Sequence, residues 1–100
     1  QAGALAVYEE AVEIFRKNAA ADPGNIMHQP DIEVVLQKIA AIRLADGDRD
    51  GALEAYEEAL AIARRMAEAF PGKDVWRDDV TATRNKIEEI QRASGNTAEQ

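Results

Sequence analysis

The chain has 100 residues, of which 46% are hydrophobic and 31% are charged, and its formal net charge is −7. This length suits one small domain, and the acidic excess disfavours partners with negative surfaces, namely nucleic acids and anionic membranes. No apolar run reaches the roughly 18–20 residues that cross a bilayer, and no segment resembles a signal peptide. The absence of cysteine excludes disulfides, thiolate chemistry and cysteine-based zinc sites, and is consistent with a cytoplasmic location.

The sequence repeats itself after 48 residues without a gap. Residues 3–48 and 51–96 share 19 identities in 46 positions. A fixed period of about 20–50 residues is typical of proteins built from stacked units, each of which buries its apolar face only against its neighbours. The repeat therefore favours a single repeat domain over residues 1–100 with a binding function. Both ends cut the repeat out of phase, so we expect the chain to be a fragment of a longer protein.

Apolar residues recur at steps of three and four in four segments, which predicts four amphipathic helices. These helices span residues 3–20, 31–45, 50–69 and 79–93. A proline or glycine follows each of them, at Pro23, Gly47, Pro71 and Gly95. Since these residues interrupt or end a helix, they mark where the four helices stop. Residues 97–100 are expected to be a frayed tail. No segment alternates like a strand, so an all-α fold is predicted.

The stretch from Leu36 to Pro71 resembles a tetratricopeptide repeat. The residues that carry the likeness are the large–small pair Ile39-Ala40 of the first helix, the turn glycine Gly47, the small–aromatic–small set Ala52, Tyr56 and Ala59 of the second helix, and the closing proline Pro71. The departures are Leu36, Ala40 and Arg43, which stand where the family has tryptophan, glycine and tyrosine. The proline also comes about two helical turns late. The chain is thus similar to an elongated variant of the family, of the kind found in large bacterial multidomain proteins.

This resemblance implies a right-handed α-α superhelix of antiparallel helix pairs, with one full unit between two half units. It also implies that a peptide or partner protein binds along a concave face lined by the first helix of each pair. The candidate binding residues on that face are Val34, Gln37, Lys38, Ala41, Ala82, Asn85, Lys86 and Glu89. The family's lysine-to-asparagine step of four residues, which clamps a peptide carboxylate, is absent because Ile42 follows Lys38 at that distance. The alternative interpretation is a solvated lysine that pairs with Glu33 or with a neighbouring helix.

Residues 46–57 match the calcium loop of an EF-hand. Asp46, Asp48 and Asp50 stand at alternate positions, with Glu57 at the twelfth place, and carboxylates at this spacing supply oxygen ligands to calcium. The second copy of this segment loses the carboxylate pattern, whereas the helix pattern is repeated. We therefore favour an ordinary turn between helices and keep calcium binding as the alternative function.

No other segment predicts a site of chemistry. Adjacent glutamates on a helix point about 100° apart, and the chain has one histidine, His28, so no catalytic or metal constellation is recognised. We expect no enzyme activity and no cofactor. His28 occupies the position of Trp76 in the other copy, and both are expected to cover the apolar edge of a loop, although an exposed Trp76 could instead anchor a partner.

The two ends of the array differ in polarity. Arg84 and Glu88 replace Leu36 and Ala40 of the first copy, so the fourth helix is predicted to be a terminal cap with a polar outer face. The first helix has no such replacement. Its residues Leu5, Val12 and Phe15 are expected to lack a partner, and self-association through residues 4–16 is therefore a further hypothesis.

Overall fold

The computed structural model describes the backbone of residues 2–99 and the side chains of residues 3–93. Four helices follow one another: α1 over Ala2–Ala21, α2 over Gln29–Ala45, α3 over Arg49–Ala69 and α4 over Asp74–Glu99. A single 3-10 turn, Ile26–His28, leads into α2. No strand occurs in residues 2–99, so the all-α prediction is confirmed. The bounds of α1, α2 and α3 lie within two residues of those predicted.

The bounds of α4 were predicted wrongly at both ends. It starts at Asp74, whose carboxylate lies in the first turn, where a negative charge is favourable. It continues through Gly95 to Glu99, because one glycine within a helix costs only about 1 kcal/mol relative to alanine. Trp76 therefore lies in α4 and packs partly buried against the core, as a cover for the apolar edge rather than as an exposed anchor.

The helices pack in chain order, with α2 between α1 and α3 and with α4 against α3. The contact of α2 with α3 is close because α3 presents small side chains to its neighbours. Ala52, Ala59 and Ala63 are fully buried, as is Ala40 on α2. Side chains this small let two helix backbones approach, so that larger residues such as Met66 fill the space between them.

The inner face of α1 is covered by α2. Val12 is buried, and Leu5 and Phe15 pack partly buried against the same core, so the expectation that these three residues lack a partner was wrong. They form the stripe of α1 on which α2 lies. The large apolar side chains that α1 exposes are instead Val7 and Ile14, on the opposite side of the helix.

A short turn joins α2 to α3. The backbone N–H of Asp48 donates to the carbonyl oxygen of Arg43 at 2.8 Å, and Gly47 adopts a φ of 87°, which favours glycine because it has no Cβ. The Asp48 carboxylate then caps α3 by accepting a hydrogen bond from the Gly51 N–H at 2.9 Å. Within the described part of the chain, every helix is too short or too polar to cross a membrane.

Replacing Gly47 by alanine tests the strain at this turn. A Cβ at a φ of 87° clashes with the following carbonyl group, so Gly47→Ala is expected to lower the free energy of unfolding by about 1 kcal/mol. Urea denaturation measures the change. Gly24→Ala is the matched control, since a Cβ there meets nothing within 4 Å and its φ is ordinary. Equal effects of the two substitutions would contradict the prediction.

Candidate functional site

An open groove of about 540 Å³ runs between α2 and α4, with α3 at its base. Its lining residues are Glu33, Val34, Gln37, Lys38, Ala41, Tyr56 and Asp79. Four of the eight predicted binding residues, all from α2, are thus brought together: Val34, Gln37, Lys38 and Ala41. The other three lining residues, Glu33, Tyr56 and Asp79, were not among the predicted binding residues.

The four predicted residues of α4 lie outside this groove. Ala82, Asn85, Lys86 and Glu89 are all exposed. Lys86 and Glu89 line a smaller depression of about 210 Å³ near the turn between α2 and α3. Lys86 Nζ stands 3.9 Å from Glu89 Oε1, a weak and solvent-screened pair. The eight residues therefore divide between the groove, which the four of α2 line, and the surface of α4, where Lys86 and Glu89 line the smaller depression.

Gln37 is the centre of a polar network that joins α2 to α4. Its amide nitrogen lies 2.6 Å from Glu33 Oε2, 3.1 Å from Thr83 Oγ1 and 3.3 Å from Asp79 Oδ1. A side-chain amide carries two hydrogens, so three acceptors compete for two donors. The Thr83 hydroxyl also lies 3.4 Å from Asp79 Oδ1 and can donate to it. Every buried side-chain N and O atom of the described residues has a partner.

Glu33 is the buried carboxyl group of this network, with 4% of its surface exposed. Burial raises its pKa to about 7, and the hydrogen bond and negative charge of Asp79 act in the same direction. The hydrogen bond from Gln37 opposes them. Glu33 therefore keeps its proton to a higher pH than an ordinary glutamate, and in the protonated form the proton links it to Asp79.

The sequence contains a signal for this burial. Glu33 stands three residues before Leu36 and seven before Ala40, so all three share the side of α2 that packs on α3. A charged residue in that stripe was read as a surface partner for lysine. Tyr56 on the facing helix is also buried, and its pKa is raised by burial and then by the negative charge of Glu89.

Lys38 is exposed at the rim of the groove. Among the described side chains it has no ion-pair or hydrogen-bond partner, and the suggested pairing with Glu33 is not formed, because Glu33 points inward to Gln37. Its ammonium group is therefore free to meet a ligand. Beside it, Val34 exposes about half of its side chain, which gives the rim one cationic and one apolar element.

The polar cleft between α1 and α3 is of a different kind. Arg16 bridges Glu58 at 2.6 Å and Glu13 at 3.0 Å, and the hydrogen bond that it donates to Glu58 is the main cause of its raised pKa. Arg43 donates to Glu9 at 3.1 Å and to the Gly51 carbonyl oxygen at 3.1 Å. Because both guanidinium groups are already engaged, this cleft holds α1 in place and offers little to a ligand.

The single histidine takes part in a local contact. His28 Nε2 lies 3.2 Å from Asp22 Oδ2, and this hydrogen bond is the main reason that the pKa of Asp22 is lowered. Asn25 also donates to the same carboxylate. The three residues close the loop between α1 and α2.

The proposed calcium loop is mostly helical. α3 begins at Arg49, so Asp50 and Glu57 are already within the helix, and Asp48 is engaged in capping it. Within the described residues no three carboxylate or imidazole groups gather around a common point. Calcium coordination through residues 46–57 would require the first two turns of α3 to unwind.

Comparison with known proteins adds no relative. No protein-family profile, curated protein or solved structure matches the chain. The tetratricopeptide resemblance therefore rests on the residues of the chain itself.

The buried carboxyl predicts a dependence of stability on pH. The pKa of Glu33 is about 7 in the folded chain against an ordinary 4.5, so the folded state binds more protons between these values and stability falls as pH rises through them. Glu33→Gln keeps the hydrogen bonds without the charge. It should exceed the wild type by about 1–3 kcal/mol in unfolding free energy at pH 8, and match it near pH 4.5. Urea denaturation at both pH values measures this. The exposed Glu68→Gln is the control, and a gain of the same size there would contradict the prediction.

The calcium alternative is tested by calorimetry. Because α3 starts at Arg49 and Asp48 caps it, we expect no heat on titration with millimolar calcium chloride. A saturable heat in the wild type that disappears in Glu57→Gln would instead establish calcium binding through this loop. Magnesium chloride at the same ionic strength serves as the control for nonspecific screening.

Proposed function

We propose that this chain is an interaction module of tetratricopeptide-like type, in which the four helices stack as an α-α superhelix and a segment of a partner protein binds in the groove between α2 and α4. The observation that carries the proposal is the composition of the groove. A free ammonium group at Lys38, an exposed aliphatic side chain at Val34 and a hydrogen-bonded floor around Gln37 occur together in one open concavity.

The floor of the groove supports recognition because its polar side chains are already held in place. Gln37 contacts acceptors on both α2 and α4, so binding need not order it anew, and preordered groups lose less conformational entropy. Val34 and Ala41 are about two helical turns apart on the same side of α2, which suits contact with an aliphatic side chain of a peptide.

The charge at the rim indicates which segment fits. Lys38 is the one groove residue with a positive charge, and it has no partner among the described side chains. A segment that places an aliphatic residue on Val34 and a carboxylate near Lys38 would satisfy both. The net charge of −7 weakens long-range attraction for such a ligand, so short-range contact has to supply the affinity.

A peptide selection tests this function. Peptides selected from a phage-displayed library on the full chain are titrated by fluorescence anisotropy against wild type and against Val34→Glu/Lys38→Glu. Loss of the apolar contact and reversal of the charge should weaken binding by at least about tenfold, with selected peptides enriched in an aliphatic residue near an acidic one.

The pair Lys73→Glu/Val75→Glu is the matched control. It changes the same residue types by the same charge at exposed positions outside the groove. Equal losses in the two double variants, or full binding by the groove variant, would show that the ligand binds elsewhere. Circular dichroism establishes that both variants keep the helical fold.

A further inference from the structure

The exposed side of α1 is a copy of the side of α3 that α2 covers. The 48-residue period aligns α1 with α3, and four positions of this stripe are identical: Gly3 with Gly51, Ala4 with Ala52, Ala11 with Ala59, and Ile14 with Ile62. The other two positions keep their type: Val7 with Ala55, and Lys17 with Arg65. Two helices of the same chain thus carry the same surface.

The two surfaces differ in what lies on them. On α3, Ala55 is 2% exposed and Ile62 is 3% exposed, because α2 packs there. On α1, Val7 is 62% exposed and Ile14 is 52% exposed. Apolar side chains of this size gain most from burial when they lie together on one helix face. The stripe of α1 therefore resembles in shape and polarity the surface of α3 on which α2 packs, but no helix packs on it.

The glycine at the start of each stripe identifies a feature of the missing helix. On α3, a Cβ built at Gly51 would overlap Oδ2 of the capping residue Asp48 and lie 3.0 Å from Cδ of Arg43, and the Arg43 guanidinium donates to the Gly51 carbonyl oxygen at 3.1 Å. Gly51 thus makes room first for the cap carboxylate and, beside it, for an arginine of α2. At Gly3 a Cβ would meet nothing within 4 Å, so the equivalent room on α1 is open.

Polar contact along the stripe points to the same occupant. At the far end of the α2–α3 contact, Arg65 Nη1 donates to Gln29 Oε1 at 3.1 Å. Lys17 stands at the equivalent place on α1 and is exposed. A helix with the pattern of α2 complements the whole length of the stripe. Such a helix has a side-chain amide at one end, leucine and alanine in the middle, and arginine at the other end.

No helix in residues 2–99 of one copy of the chain can supply this pattern to the α1 stripe of a second copy. The matching stripe of α2, with Leu36 and Ala40, is buried against α3. The equivalent stripe of α4 carries Arg84 and Glu88, both exposed, and would place charges against Val7 and Ile14 at a desolvation cost. Self-association through α1 would have to pair two copies of the same stripe, leaving the room at Gly3 unfilled by arginine.

We propose that this stripe of α1 (Gly3, Ala4, Val7, Ala11, Ile14 and Lys17), which is exposed apart from the partly buried Ala11, is a docking surface for a helix of another polypeptide segment with the chemistry of α2, namely an aliphatic and alanine stripe that ends in an arginine. This surface lies on the opposite end of the helix stack from α4 and does not depend on the proposed groove function.

A peptide with the sequence of residues 29–45 is the probe. Titrated into the isotope-labelled full chain, it should cause saturable NMR shifts at Gly3, Val7 and Ile14. The peptide of residues 77–93 is its natural control, because it has the same register but carries Arg84 and Glu88, and it should cause no saturable shift. Equal binding of both peptides, or no binding of the first, overturns the proposal.

Two variants of the chain separate this contact from other modes. Ile14→Glu removes the apolar centre of the stripe and should abolish binding. Gly3→Ala fills the room for the arginine and should weaken binding about tenfold, while the midpoint of urea denaturation stays the same or rises because alanine favours helix. If Gly3→Ala binds the peptide as tightly as wild type does, the assignment is wrong. It is also wrong if ultracentrifugation shows that the chain itself forms a dimer and that Ile14→Glu abolishes this dimer.

An isolated peptide of this length is a marginal helix in water, so a fused chain provides a second measurement. A copy of residues 25–48 joined directly before Gln1 continues the 48-residue register. The fusion should raise the urea midpoint of the whole chain, whereas the same fusion carrying Leu36→Arg and Ala40→Glu in the added copy should not. No rise, or the same rise in both fusions, overturns the proposal.

Discussion

The close contact of α2 with α3 is the constraint on which the rest of the structure depends. Fully buried alanines on both helices, Ala52 and Ala59 on α3 and Ala40 on α2, let the two backbones approach each other. Larger side chains such as Met66 fill the remaining space. Because α2 packs closely on α3, the directions in which its other two sides face are fixed. One side takes α1 and the other becomes the wall of a groove beside α4.

The same contact explains the buried carboxyl. Glu33 lies on the stripe of α2 that faces α3, and it can stay there only because Gln37 and Asp79 supply hydrogen-bond partners. The polar network thus follows from the way α2 packs on α3, because that packing buries Glu33. It also ties α4 to α2, although α4 packs mainly on α3. The groove owes its fixed floor to this arrangement.

The helices and the way their apolar stripes face one another could be predicted from the sequence, because spacing of three and four residues identifies a helix face directly. The end of α4 could not, since Gly95 carries the same local signal whether it ends a helix or lies within one. The polar network was also missed. Glu33 pairs with Asp79, and Gln37 with Thr83, each across 46 positions of the chain, and no periodicity within α2 reveals a partner at that distance.

The predicted binding residues divide for a related reason. Those on α2 share one helix and so share one groove, which local spacing alone could establish. Those on α4 were placed by the repeat, but α4 departs from its counterpart at Arg84 and Glu88 and extends beyond it at both ends. Residues that the repeat makes equivalent therefore do not all line the same groove.

Burial and the neighbouring Asp79 raise the pKa of Glu33, the carboxyl group in the floor of the groove. A ligand that binds there would therefore exchange protons with the solvent as well. A cationic group placed near Glu33 favours its charged form, so its binding would release a proton, whereas an anionic or purely apolar group would take one up. The heat of binding would then vary with the ionisation enthalpy of the buffer, without any histidine among the lining residues of the groove.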